Sequence, residues 1–112
     1  METKNLAKEK WISYFDQLSI MIDGRRASVE IDAPEIGSQI EANNLPLLGI
    51  TYDPKDNLIE VAMEGLDHMI NKPVEVNVAF GKKGVEVIEI INADGHHQIV
   101  KLSKPVMLLV PD

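Results

Sequence analysis

The chain has 112 residues, 45% hydrophobic and 26% charged, with eleven Lys and Arg against eighteen Asp and Glu and a formal charge of −7. That length suits one domain, 1–112, with one core that buries roughly two-thirds of the surface exposed on unfolding and needs no staple. The acidic balance opposes phosphate backbones and anionic lipid surfaces, and the absence of cysteine excludes disulfides, thiolate metal sites and thiol nucleophiles.

Aromatic residues are scarce, so the core must be aliphatic. No apolar run approaches the length of a membrane span and no signal-peptide core opens the chain, so a cytoplasmic protein without membrane contact is expected. The first element predicted is a helix over 5–22, where Leu6, Trp11, Tyr14, Phe15, Leu18, Met21 and Ile22 recur at three- and four-residue spacing. Asp23-Gly24 stops it. Three of the five aromatic residues lie on this helix, so it is expected to lay its heavy end across a sheet.

The sheet is predicted over 25–110. From Arg25 to Asp32 the residues Ala27, Val29 and Ile31 alternate with Ser28, Glu30 and Asp32, the mark of a strand with one wet face. Glu35 to Leu45 reads as a bulged strand or an ordered loop, weakened by Gly37 and Asn43-Asn44. Pro46 to Gly65 is the clearest hairpin: Leu48, Ile50 and Tyr52, then turn chemistry at Asp53-Pro54-Lys55-Asp56-Asn57, then Ile59, Val61 and Met63. Leu66, Met69 and Ile70 stand at helical spacing and predict a single crossover turn ended by Pro73. Val74 to Phe80 alternates again. Val85 to Asn92 is apolar on both faces, which predicts a central or bulged strand. Gln98 to Leu102 returns. The tail holds five consecutive apolar residues, Val106, Met107, Leu108, Leu109 and Val110, which must be covered either as a closing strand or by a subunit contact.

The order predicts an α+β fold: an N-terminal helix packed on a mostly antiparallel, strongly curved sheet of about six short strands, a roll or a small barrel. Architecturally this resembles the SH3-like and Sm-like barrels.

The segments WISYFDQL at Trp11–Leu18, LPLLGITYD at Leu45–Asp53 and LDHMINKP at Leu66–Pro73 are more specific. They resemble a family of short bacterial proteins of unknown function, defined by a W-x-x-Y-F/L-D helix, an LPL-x-G-I-x-Y-D hairpin and an L-x-H-x-I-x-x-P crossover. The resemblance covers nearly the whole chain and implies a stand-alone member. It implies no activity and no ligand.

Chemistry-bearing candidates are few. Gln39, Glu41, Asn43 and Asn44, in the irregular stretch before Leu45, together with Tyr52, Asp53 and His68, form a candidate ligand-binding set, because amide side chains read hydrogen-bonding groups well. A divalent-metal site would need His68 plus one of His96-His97, with Asp67 or Asp94 completing a mixed nitrogen and oxygen set. Carboxylate pairs such as Glu30 with Asp32 are explained by the solvated face of a strand. No phosphate loop or nucleophile motif occurs, and no cofactor is expected. The leading expectation is therefore a non-enzymatic protein-interaction or self-assembly module, a possible homodimer. The alternative is a small-molecule or metal-dependent protein using His68 with nearby carboxylates, and a nucleic-acid-binding barrel comes third.

Overall fold

The structure, a computed structural model, describes residues 1–112. Eight strands and one helix follow in the order β1 (Glu2–Leu6), α1 (Trp11–Met21), β2 (Arg26–Ala33), β3 (Gly37–Asp53), β4 (Leu58–Met63), β5 (Leu66–Asn71), β6 (Pro73–Gly81), β7 (Gly84–Asn92) and β8 (His97–Val106). All pairings are antiparallel. The sheet runs β1-β6-β7-β8-β2-β3-β4-β5, so β1 and β5 are its edges and no ladder joins them. The helix-on-antiparallel-sheet architecture expected from the sequence is therefore present, with eight strands in place of six and a sheet left open where a barrel would close.

Two strands account for the difference. The predicted helix took in Leu6, but Glu2–Leu6 is extended and pairs with β6, and α1 begins only at Trp11 after a 3₁₀ turn at Lys8–Lys10. Leu6 is buried from a strand, and its carbonyl accepts the indole N–H of Trp11 at 2.9 Å. The predicted crossover turn is β5. Leu66, His68 and Ile70 take the inward strand positions, and a polar residue at the middle one left the alternation invisible.

Trp11, Tyr14, Phe15 and Leu18 form the buried stripe of α1. They meet Ile50, Tyr52, Ile59, Val61, Val76, Val78, Ile88, Ile90 and Val100, the inward residues of the strands. Trp11 meets Tyr52 edge to face, with ring centroids 5.0 Å apart.

β3 bends the sheet. Its register slips against β2 at Glu41 and at Asn43-Asn44, and against β4 at Leu48, each slip inserting one extra residue. The first half of β3 thus joins β1, β6, β7, β8 and β2, while its second half turns away with β4 and β5. Beyond Pro46 the strand has lost β2 as a neighbour. The hydroxyl of Ser19 on α1 fills the gap, accepting the N–H of Ile50 at 3.0 Å and donating to its carbonyl at 2.8 Å.

The tail does not close the sheet as a strand. Val106 ends β8, and beyond it Val110 is buried while Met107 and Leu109 are exposed. The chain passes so close over the β6–β7 turn that only glycine fits at Gly84: a Cβ there would lie 2.2 Å from the Val106 carbonyl oxygen. Arg25 donates to the Pro105 carbonyl at 3.1 Å and holds the tail from the other side. No helix is long and apolar enough to cross a membrane.

Candidate functional site

The seven residues singled out in the sequence lie apart. Tyr52 is in the core, its hydroxyl 3.1 Å from Asn57 Oδ1. Asp53 caps the hairpin turn, accepting the N–H of Lys55 at 3.0 Å. Asn44 occupies a bulge at φ 55, its N–H donated to Ser28 Oγ and its carbonyl accepting from Arg26, so its backbone carries the interaction. Gln39 and Glu41 are exposed. Of the seven, only Asn43 lines a surface hollow, with Ser28, Glu30, Ile40 and Lys101.

His68 donates through Nε2 to Gln98 Oε1 at 2.7 Å. Gln98 is the one buried polar residue of the chain, and the pair ties edge strand β5 to β8. Asp67, its neighbour on a strand, projects to the opposite face. His96 donates to Glu35 at 2.6 Å and His97 to Glu89 at 2.9 Å, so each histidine has its own protein partner. No group of three or more His, Asp and Glu side chains is placed to hold a metal ion.

What the fold does assemble is the outer face of β1, β6, β7, β8, β2 and the first half of β3, opposite α1. Reading across the strands, the pairing puts three rows of outward residues side by side. The first is Thr3, Ala79, Val87, Lys101 and Ser28. The second is Asn5, Asn77, Glu89, Ile99, Glu30 and Ile40, and the third is Glu75, Ile91, His97, Asp32 and Ser38. Thr3, Asn77, Ala79, Val87, Glu89 and Ile99 surround a shallow hollow of about 260 Å³.

The polar members are held in place by one another. Asn77 accepts from Asn5 at 3.1 Å and donates to Glu75 at 2.8 Å and Glu89 at 3.1 Å. Glu89 takes its second bond from His97, and Ser38 donates to Asp32. The His97 hydrogen bond holds the Glu89 carboxyl below the usual range against the opposing effect of partial burial; Asn77 adds to the lowering and the charge of Asp32 works against it. Glu35 is lowered in the same sense, chiefly by His96.

The array is open to solvent, and its acids and bases satisfy one another. Chemically it is an aliphatic floor with hydrogen-bonding groups fixed around it. The sequence showed the wet faces of single strands but not which strands lie side by side, and the site exists only through that lateral order.

Residues 2–111 match the profile of a family described as a family of unknown function (DUF5335). An uncharacterized protein of Aquifex aeolicus (strain VF5) is 36% identical over 109 residues, covering 96% of this chain and 98% of the relative. No solved structure matches.

Proposed function

Because the chain belongs to the DUF5335 family of unknown function, it inherits no assigned activity, and we propose that it is a non-enzymatic, cytoplasmic protein-interaction module whose contact surface is the outer face of the sheet. The observation that carries this reading is the register: Ala79, Val87 and Ile99 sit together as half-exposed aliphatic side chains inside a frame of Asn77, Glu89, Glu30 and Lys101. An apolar centre with a polar rim is the anatomy of a protein-binding patch. The side chains of the frame are already ordered by mutual hydrogen bonds, so less rotamer freedom is lost on docking. The tail is the lesser contact, since Val106 and Val110 are consumed by the core and only Met107 and Leu109 are left fully outside. The enzymatic alternative through His68 loses support because the histidine is bound to Gln98 and the nearby carboxylates face elsewhere.

A photoactivatable cross-linker placed at position 99, on the outer face, and at position 20, on the exposed side of α1, tests the reading. Irradiation is expected to give discrete adducts from position 99 alone, any adduct to a different protein being competed by excess unlabelled wild-type protein and not by a Val87→Asp, Ile99→Asp variant. Equal adducts from both positions, or none from position 99, would remove the outer face as the contact.

A further inference from the structure

The outer face is electrically lopsided along the strands. At the end where the β6–β7 turn, the end of β8 and the start of β2 meet lie Lys82, Lys83, Lys104 and Arg26, with Glu2 and Glu86 as the acidic residues among them, while Lys101, further in, stands 4.0 Å from Glu30. At the other end lie Glu30, Asp32, Glu75 and Glu89, and beyond them Glu35 and Asp94 in the adjoining turns, with Lys72, whose carbonyl accepts the N–H of Ala93 at 2.9 Å, as the basic residue among them. The aliphatic floor of Ala79, Val87 and Ile99 lies between the two ends.

Resting on the docking reading above, we infer that the occupant of this face is a second copy of the chain, packed face to face about a two-fold axis that lies between the two sheets and runs across the strands. A two-fold in that direction lays the lysine end of each copy over the carboxylate end of the other and stacks the apolar floors at the centre. A two-fold running along the strands would put lysines over lysines and carboxylates over carboxylates, so the charge distribution selects one of the two isologous arrangements. A charge gradient that reverses along one direction is self-complementary, whereas a uniformly acidic face would call for a basic partner.

Six strands spaced about 4.8 Å apart and three rows of outward residues span roughly 25 by 20 Å, about 500 Å² per copy. That is below the ~800 Å² per partner of a standard interface, so the pair is expected to exchange with monomer.

Light scattering and sedimentation equilibrium over a concentration series test this. Wild-type mass is expected to rise from the chain's 12.5 kDa towards twice that value. Lys82→Glu with Lys83→Glu, and separately Glu30→Lys with Glu75→Lys, are each expected to weaken association at least tenfold. The four changes in one chain restore the gradient in reverse and are expected to recover it, and the two double variants mixed together pair with each other. All these positions lie on the outer face or in a turn, and circular dichroism checks that each variant is folded. Wild-type protein that stays monomeric throughout, or self-association indifferent to both swaps, overturns the pairing. If monomeric wild type nevertheless gives the competed position-99 adduct with a different protein, the pairing fails while the docking reading stands; if it gives no adduct, both fail.

Discussion

Replacing Ser19 by alanine isolates the device that lets β3 leave β2. In the helix interior this substitution by itself favours folding, by up to about 0.5 kcal/mol of propensity. Against that, it strips both hydrogen bonds from Ile50, whose N–H and carbonyl face α1 and whose side chain is wholly buried. A buried donor or acceptor left without a partner costs about 1–3 kcal/mol, so two together, less the propensity gain and some entry of water, give a net loss of about 2–4 kcal/mol. That is a large part of the ~5–15 kcal/mol that holds an ordinary domain together. Urea titration followed by the fluorescence of Trp11, the single tryptophan, buried at 1% exposure, reads the loss as a lower midpoint at unchanged slope. Ile20→Ala, one position along and 81% exposed, is the control and should move stability by no more than about 0.5 kcal/mol. A Ser19→Ala variant as stable as that control would mean the hydroxyl bridge does not support the bend.

Gly84→Ala is expected to be among the most damaging single changes, because its Cβ would meet the backbone of Val106 at 2.2 Å and of Met107 at 2.9 Å. A loss of at least ~3 kcal/mol of unfolding free energy in a denaturant titration, or failure to fold, is the expected result. Gly24→Ala, with φ +77 and nothing within 4 Å, should cost only the left-handed penalty of about 1–2 kcal/mol. Acid stability responds to Glu89. Its carboxyl is lowered from the ordinary 4.5 in the folded state, so it stabilises the fold above that value and the contribution is lost as pH falls through the lowered one. Glu89→Gln should therefore flatten the acid limb of a stability-against-pH curve and leave its neutral plateau with a smaller difference from low pH. An unchanged acid limb would show that the His97 bond does not hold in solution.

The parts of the fold legible in the sequence are those where one face of a strand is wet. Ala27, Val29 and Ile31 against Ser28, Glu30 and Asp32 announce β2 without ambiguity, and the doubly apolar Val85–Asn92 correctly reads as a central, bulged strand, with Glu86 the extra residue. β1 was illegible because its side chains are mostly solvated and only Leu6 is fully buried, which leaves no alternation to find. β5 does not read as a strand because an inward position is held by His68, acceptable there only because Gln98, thirty residues away, satisfies it. The irregular stretch before Leu45 reads as a bulged strand or an ordered loop and is a strand with two bulges, at Glu41 and at Asn43-Asn44. The candidate site was hidden more deeply. Consecutive hairpins place Glu89 beside Asn77 and His97, but β8 inserts between β2 and β7 and β1 joins β6 across 71 residues of chain, so nothing local brings Thr3 or Glu30 onto the same face.

The face-to-face pair makes an unusual demand on salt. Two copies each carrying −7, with centres about 30 Å apart as the 35 × 29 × 28 Å dimensions require, repel by about 7 kcal/mol in pure water. At physiological ionic strength, with a screening length of about 8 Å, that repulsion falls to about 0.2 kcal/mol, while lysines and carboxylates a few ångströms apart across the contact keep most of their attraction. Near 1 M salt the screening length shrinks to about 3 Å and those contact pairs fade as well. Association should therefore pass through a maximum as salt is raised. A contact made by the aliphatic floor alone would tighten steadily with salt, and attraction to an oppositely charged partner would weaken steadily. A monotonic titration of the wild-type mass in either direction would contradict the charge arrangement inferred for the pair.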